Sequence, residues 1–250
     1  MKKHTFCKAV AVLFLFLATF HFSYAQSKFG IVNSGELINR GIDRHDNEDY
    51  DEAIKYYNQV PENDTNYLLA LTEKALTYYQ KKDYPKTIEM CEKVLAAGSD
   101  YDQNLYITLG SAYDDSGDSL KAIEVYDRGI KAFPKNHLIL FNKAVTLQKM
   151  GKYDEAVETY KQVLLISPYH ASSHFRLGSI AEQEGDLTRA MLCYNGFLVA
   201  EPTTERALNV LQMLDKMVAR KYDNSKAKGI NLAADGEDFG EIEQLIRKQL

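Results

Sequence analysis

Two histidines one helical turn apart are the residues of this chain whose spacing could bind a metal. His170 and His174 stand four positions apart, the spacing with which a helix presents two imidazoles to a zinc ion. Zinc needs at least a third protein ligand, and the surrounding sequence suggests none. We therefore expect no metal here and no cofactor elsewhere in the chain.

An acidic segment that contains glycine is the other place where an ion could bind. Residues 114–118 read Asp-Asp-Ser-Gly-Asp, but they lack the ligand spacing and the distal glutamate of a calcium loop. This favours a solvated turn between two helices. The sequence also contains no glycine-rich phosphate loop, no Gly-x-Ser-x-Gly elbow and no HExxH zinc motif. We expect a protein that is not an enzyme.

The N-terminal segment predicts export. Three lysines precede an apolar run from Ala9 to Phe20, and the small residues Ser23 and Ala25 match the pattern of signal-peptidase cleavage after Ala25. The run is shorter than the ~20 apolar residues that a membrane-spanning helix needs. Residues 1–25 are therefore interpreted as a signal peptide. We expect the mature chain in the periplasm, or secreted or associated with the outer envelope, without membrane insertion.

The composition of the mature chain indicates which classes of partner it can bind. Cleavage after Ala25 removes three lysines and no acidic residue, so the formal net charge changes from −5 to −8. An acidic chain without basic tracts is a poor ligand for nucleic acid and for anionic membranes. Only Cys91 and Cys193 remain, which are too few for a disulfide-built scaffold. We expect a protein or peptide partner and no nucleic acid.

A repeat of about 34 residues organises the chain and must position the residues discussed above. Residues 117–136 and 151–170 share Gly, Ala, Tyr and Pro at the same offsets. Aligned on the alanine, five copies follow one another at spacings of 34 or 35 residues: Ala53, Thr87, Ala122, Ala156 and Ala190. A fixed period in this range is typical of a solenoid of stacked helix pairs.

The third copy shows why each residue recurs. Gly117 stands where the first helix ends and the backbone turns sharply. Ala122 lets the second helix approach the first closely, and Tyr126 follows one turn later on the same buried face. Pro134 stops the second helix. With the small residue Gly110 at the helix crossing, the copy predicts an antiparallel helix pair.

These residues closely resemble the tetratricopeptide repeat. The resemblance implies an all-α, right-handed superhelical solenoid of antiparallel helix pairs, with five units and a capping helix. The expected units are residues 34–66, 67–102, 103–136, 137–170 and 171–203. The first is an atypical terminal unit, since Glu48 replaces the turn glycine and Pro61 shortens its second helix.

The C-terminal part of the chain departs from the repeat. Residues 204–220 predict a capping helix whose apolar face covers the last unit, and residues 221–236 read as a linker. The face of the capping helix is expected to comprise Leu208, Leu211, Leu214 and Val218. Residues 237–250 predict an amphipathic tail helix too short to be stable alone, so it must dock. Its apolar face comprises Phe239, Ile242, Leu245, Ile246 and Leu250.

The resemblance also implies where a partner binds, because the first helices of such arrays line a concave groove. The expected groove is an apolar stripe with a polar edge, and its residues are Leu69, Thr72, Leu76, Ile107, Ser111, Leu138, Phe141, Val145, Phe175, Arg176 and Ser179. Such a groove suits an amphipathic helix or an extended peptide. Two alternatives remain open: the ring positions pack within the stack, or the tail helix fills the groove.

A more specific site of the same family is not supported. Some of its chaperone adaptors clamp the C-terminal carboxylate of a peptide with lysine, asparagine and arginine side chains. Asn142 and Arg176 match two of those positions, whereas Ile107, Ser111 and Ser172 stand where basic or amide side chains are required. Without these groups a charge-assisted carboxylate site is not expected.

The sequence therefore predicts a non-enzymatic scaffold for protein–protein contacts in the cell envelope. The alternatives are a regulatory or assembly module of a larger protein, and a module that associates with itself through residues 237–250. One modification is also suggested. Asp118-Ser119-Leu120 resembles the Asp-Ser/Thr-apolar tripeptide that some periplasmic O-glycosylation systems modify, so Ser119 is a candidate acceptor.

Overall fold

The computed structural model describes residues 33–98 and 102–227 of the chain. The expected signal peptide and the expected tail helix, residues 237–250, lie outside these ranges. The described residues form eleven α-helices and no strand. This confirms the all-α class that the repeat predicted.

Ten of the helices alternate as the first and second members of five pairs, and an eleventh follows them. In chain order they are α1 Ser34–Asp46, α2 Tyr50–Tyr57, α3 Tyr67–Gln80, α4 Tyr84–Ala96, α5 Gln103–Asp115, α6 Ser119–Ala132, α7 His137–Lys149, α8 Tyr153–Ile166, α9 Ala171–Gln183, α10 Leu187–Ala200 and α11 Glu205–Ala227. The two members of each pair pack against each other.

The chain divides into two compact units, at residues 134 and 135. The described part of the first unit contains α1 to α6, and that of the second contains α7 to α11. In the first unit, α1 also contacts α3, and α3 contacts α5, so successive first helices lie side by side. In the second unit, α9 contacts α8, and α11 contacts α10.

The turns between paired helices use left-handed backbone where the sequence places glycine. Gly117, Gly151 and Gly185 have φ of 97°, 75° and 82°, a conformation that costs glycine little. The first two helix pairs contain Glu48 and Lys82 at this position, and these residues adopt φ of 62° and 60°. The turn geometry is therefore imposed by the helix pair even where the residue is unsuited to it.

Several second helices begin at an aspartate that caps them. The side chains of Asp83, Asp118 and Asp186 accept hydrogen bonds from the backbone N–H groups of Lys86, Lys121 and Arg189. Such caps satisfy donors that have no partner within the helix. They fix where the second helix starts after the turn.

The recurring alanines and tyrosines form the core between paired helices. Ala122 is fully buried and Tyr126 is 1% exposed. The tyrosine ring lies directly over the first helix of its pair, since a Cβ added at Gly110 would come within 2.3 Å of the ring. Gly41 and Tyr57 have the same relationship in the first pair. The small residue is therefore required by the ring opposite it.

The second pair uses a smaller set of side chains at these positions. Thr87 and Cys91 are fully buried in place of the alanine and the tyrosine, and they accompany a buried Ala75. Burial raises the pKa of the Cys91 thiol to about 12, so the thiol stays protonated and unreactive. Both Cys91 and Cys193 are free thiols.

The last described helix differs from its prediction in two respects. It extends to Ala227, seven residues into the segment expected as a linker. Its buried face is a different one from the predicted face, and it consists of Ala207, Val210, Leu214 and Met217, packed with Tyr194 and Phe197. Of the four predicted residues only Leu214 is buried, while Leu208, Leu211 and Val218 are 60%, 49% and 50% exposed.

Candidate interaction surface

In the first unit, the predicted groove residues differ widely in exposure. Leu69 on α3 is 49% exposed, whereas Leu76 and Ile107 are half-buried. Thr72 is buried, and its hydroxyl donates to the carbonyl of Leu68 at 3.0 Å. The expectation that Thr72 faces a partner is therefore wrong, because its short side chain bonds its own helix and is covered.

Hydrogen bonds tie neighbouring first helices of this unit to one another. His45 Nδ1 lies 2.8 Å from the Thr77 hydroxyl and joins α1 to α3. The Tyr79 hydroxyl donates to Asp115 Oδ2 at 2.8 Å and joins α3 to α5. The predicted polar edge thus holds the helices in register, besides being available to a partner at its exposed atoms.

In the second unit, α7 carries an apolar row on one face. Leu138 is 41% exposed, and Phe141 and Val145 are half-buried at spacings of three and four residues. The Phe141 ring lies 5.9 Å from the Tyr160 ring and 4.7 Å from the His170 ring, measured between centroids. Phe141 therefore packs partly into the unit and leaves part of its surface accessible.

The equivalent ring on α9 packs in the same way. The centroid of Phe175 lies 5.7 Å from that of Tyr194 and 5.9 Å from that of Phe197. Phe175 is half-buried, as are Arg176 and Ser179 on the same helix. The alternative that the ring positions pack within the stack thus holds in part for both phenylalanines, and Leu138 is the more open apolar contact.

The hydroxyls of two buried tyrosines in the second unit donate hydrogen bonds to polar residues of the first helices. Tyr160 donates to Gln148 Oε1 at 2.9 Å and Tyr194 to Glu182 Oε2 at 3.0 Å. Burial raises the pKa of both phenols. The sequence predicted these tyrosines as core rings only. The polar residues that recur near the end of the first helices are the signal in the sequence from which the hydrogen bonds of these hydroxyls could be inferred.

Ser111, a predicted groove residue, takes part in the same pattern in the first unit. Its hydroxyl lies 3.2 Å from the Tyr126 hydroxyl. Ser111 is half-buried, so it supports the tyrosine and leaves only a part of its surface to a partner. In the third, fourth and fifth helix pairs, the packing of the pair and the polarity of the candidate surface are therefore linked through the tyrosine hydroxyl.

The two histidines with metal-ligand spacing bind different partners. His170 is the N-cap of α9, and its Nδ1 accepts from Ser173 N–H at 3.2 Å. His174 Nε2 donates to the carbonyl of Pro168 at 2.8 Å. Burial, with His137 and His174 nearby, lowers the pKa of His170. Among the residues that the structure describes, no group of three His, Cys, Asp or Glu side chains could hold a metal ion.

A hydrogen bond joins the acidic turn, residues 114–118, to Ser119, the candidate for glycosylation. The Ser119 hydroxyl donates to Asp114 Oδ1 at 2.7 Å, and Ser119 is half-buried as the first residue of α6. The carboxylate of Asp114 thereby contributes to the turn between α5 and α6. Glycosylation of Ser119 stays a prediction, and a glycan there would replace this hydrogen bond.

One of the two residues that match a carboxylate clamp, Asn142, is bonded within its own helix. The Asn142 amide donates to the carbonyl of Leu138 at 2.8 Å, so it is engaged within its own helix.

No described helix is both long and apolar enough to cross a membrane.

Comparison with protein families finds two models that match parts of the chain. A family model described as "Tetratricopeptide repeat" matches residues 141–203. A second model, described as "Anaphase-promoting complex, cyclosome, subunit 3", matches residues 80–163. Both matches fall within the helix pairs.

Curated proteins with similar sequences include one that is named for the repeat. A TPR repeat-containing protein of Methanocaldococcus jannaschii is 28% identical over 162 residues, which cover 62% of this chain and 28% of that protein. Anaphase-promoting complex subunit 3 of Schizosaccharomyces pombe is 30% identical over 108 residues, which cover 43% of this chain and 16% of that protein. The chain thus spans less than a third of the length of either relative.

Solved structures show the same fold. A crystal structure of MamA superposes with a TM-score of 0.58 at 23% identity, covering 65% of this chain and 94% of that one. The structure of YrrB, titled "a TPR protein with an unusual peptide-binding site", gives a TM-score of 0.55 at 20% identity, covering 76% of this chain and 97% of that one. The fold is a tetratricopeptide-repeat solenoid.

Proposed function

We propose that this chain, which has the fold of a tetratricopeptide-repeat solenoid, is a non-enzymatic scaffold that binds a peptide or helix of a protein partner on the faces of its first helices. Proteins built from this repeat generally mediate protein–protein interactions, and the YrrB structure is titled for a peptide-binding site. The repeat positions here are occupied by packing and capping residues, which leaves recognition to the surface.

The observation that carries the proposal is the apolar row on α7. Leu138, Phe141 and Val145 share one face of the helix, and Leu138 is 41% exposed although it stands in the first turn of a well-packed unit. Exposed apolar side chains that adjoin half-buried ones mark a protein-binding surface more often than scattered single residues do. The row has the spacing that an amphipathic helix or an extended peptide can follow.

The cell envelope is the proposed place of action. The support comes from the sequence of residues 1–25, with its basic start, apolar run and cleavage pattern. A scaffold exported in this way would serve an assembly or secretion complex of the envelope. This role is inferred from the fold and from the predicted signal peptide, and identification of the partner tests it.

The test is capture of a partner from the envelope fraction of the source cell. We expect Leu138→Glu with Val145→Glu to abolish capture, because charges in the row would be desolvated by an apolar ligand. The matched control is Leu165→Glu on α8, at a side chain that is 83% exposed. Circular dichroism should show unchanged helix content in all variants. Unchanged capture by the double variant would refute the α7 row as the binding surface.

The second candidate is a regulatory or assembly module of a larger protein, or a module that associates with itself. The first of these alternatives is favoured by the relatives, of whose length this chain spans 28% and 16%. The measurement is the solution mass of the chain with and without residues 235–250. A mass that halves on truncation would indicate self-association through the tail, and a monomer in both forms would leave a module in a larger complex.

A further inference from the structure

Two of the exposed apolar residues of α11 each stand at a register position that is buried in an earlier helix pair. With the 34-residue period, Leu208 corresponds to Leu140 in α7, and Leu211 corresponds to Leu177 in α9. Leu140 is 5% exposed and Leu177 is 8% exposed. Each of these earlier positions belongs to a first helix that packs against the second helix of its own pair.

Helix α11 has the sequence register of a first helix, but no second helix follows it within the described residues. Its buried face packs on the preceding pair through Ala207, Val210, Leu214 and Met217. The exposed apolar residues Leu208 and Leu211 therefore occupy the side on which a second helix would pack, and exposed Val218 follows Leu211 by seven residues on the same face of α11. We call these three residues the α11 apolar stripe.

The sequence beyond α11 contains a segment with the pattern of a second helix. In the first, second and fourth pairs, the second helix carries an aromatic residue, a small residue three positions later and a core residue four positions after that, as in Tyr153, Ala156 and Tyr160. Phe239, Ile242 and Ile246 repeat this spacing with apolar residues. Asp238 precedes Phe239 as the capping Asp83 precedes Tyr84.

From these positions we infer that residues 238–250 dock on the α11 apolar stripe of the same chain and complete a sixth helix pair. The assignment differs from the alternative in which the tail helix fills the partner groove. It leaves the α7 row accessible, and it closes the end of the second unit without a second copy of the chain.

The chain is long enough for this arrangement. Ten residues separate Ala227 from Asp238, and extended chain spans about 3.3–3.6 Å per residue, so they reach about 33–36 Å. The way back along α11 from Ala227 to Leu208 is 19 residues at 1.5 Å each, or about 29 Å. The apolar positions of the two segments also have similar lengths, from Leu208 to Val218 and from Phe239 to Leu250.

The first experiment measures amide hydrogen exchange in residues 238–250 of the full chain. We expect exchange at least tenfold slower than in the same segment as a free peptide, and loss of that protection in Leu208→Glu with Leu211→Glu. The matched control is Leu192→Glu on α10, where the side chain is 70% exposed and should leave the protection intact. Exchange at the free-peptide rate in the unaltered chain would overturn the inference.

The second experiment identifies the surface and the chain that provide the contact. Gln212 of α11 corresponds by the 34-residue period to Gly110, and Ile246 stands at the core position that Tyr126 occupies in its helix. Because Gly110 and Tyr126 are in contact, we expect Gln212 and Ile246 to lie close together. In a Cys7→Ser, Cys193→Ser background, we expect Gln212→Cys with Ile246→Cys to be joined by a short homobifunctional maleimide within one chain, and Asn209→Cys with Ile246→Cys to remain unjoined. Products of twice the mass would assign the contact to a second copy and refute docking within the chain.

One further arm separates this inference from the proposed function. If the tail filled the α7 row instead, Leu138→Glu with Val145→Glu would abolish the exchange protection of residues 238–250, which would overturn docking on α11. We expect these substitutions to leave the protection unchanged while they abolish capture of the external partner.

Discussion

The ring of Tyr126 occupies the space that a side chain on residue 110 would need. A Cβ added at Gly110 would lie 2.3 Å from the Cε1 atom of Tyr126 and 2.6 Å from its Cζ atom. Tyr126 is 1% exposed and cannot move into solvent without opening the pair. This relationship explains why a glycine and a tyrosine sixteen residues apart recur together in the repeat.

Gly110→Ala is therefore expected to destabilise the first unit by about 1–3 kcal/mol, the usual cost of overpacking a core. The measurement is urea unfolding followed by circular dichroism. Tyr126→Phe, which removes only a hydroxyl and keeps the ring, should leave the penalty of Gly110→Ala unchanged. A penalty below about 0.5 kcal/mol would show that the helices can separate freely at this crossing.

Glycine at the two strained turns is expected to stabilise the protein. Glu48 and Lys82 adopt φ of 62° and 60°, and side chains in this region cost about 1 kcal/mol or more. Glu48→Gly and Lys82→Gly should each gain about 0.5–1 kcal/mol, after the entropy that glycine adds to the unfolded chain.

The matched control for these turns is Gly151→Ala, at φ of 75° with no atom within 4 Å of the added Cβ. It should destabilise by about 1 kcal/mol through the backbone alone. The midpoint of urea unfolding measures all three variants. A loss of stability in Glu48→Gly would mean that the native side chain makes a contact worth more than the strain.

The second unit is expected to lose stability as the pH falls below neutrality, through His170. Burial lowers the folded-state pKa of His170 below 6.5, with His137 and His174 adding to the effect. The unfolded state therefore binds the proton first, and stability decreases as the pH falls through 6.5 toward the folded pKa. Protonation would also replace the acceptor of Ser173 N–H by a donor.

The comparison that isolates His170 is His170→Asn, since asparagine caps helices without titrating in this range. We expect the melting temperature of the unaltered protein to fall more than that of the variant between pH 7.5 and pH 5.5. Equal falls in both proteins would assign the pH dependence to other groups.

The two kinds of apolar residue in the second unit should respond differently to truncation. Phe175 contacts the rings of Tyr194 and Phe197, so Phe175→Ala should cost about 2 kcal/mol, less than the 3–5 of a fully buried ring. Leu138 is 41% exposed, so Leu138→Ala should change the free energy of unfolding by less than about 0.5 kcal/mol. Thermal melts of both variants measure the difference. Equal costs would mean that Leu138 belongs to the core.

Intact mass spectrometry of the protein purified from its native cell tests two predictions from the sequence. Cleavage after Ala25 predicts the mass of residues 26–250, and glycosylation of Ser119 predicts that mass plus a glycan. Ser119→Ala should remove the added mass and leave the cleavage unchanged. A mass equal to unmodified residues 26–250 would exclude the glycan and support the cleavage.

Much of the fold could be predicted because each copy of the repeat reports the same environment. Gly117, Ala122 and Tyr126 were assigned as turn, close approach and core ring, and the backbone angle and burial of these residues agree. The surface was less predictable. Thr72 is expected on the groove and is buried, because its short side chain bonds the carbonyl of Leu68 within its own helix and is covered.

The sequence by itself determined the period, the helix pairs, the turn positions and the buried small and aromatic residues, because these follow from local backbone geometry repeated five times. Only the tertiary structure decided which side of α11 is buried. Two apolar rows run along that helix, through Val210 and Leu214 on one side and Leu208 and Leu211 on the other. Periodicity predicts both rows equally, and the packing against Tyr194 and Phe197 selects one of them.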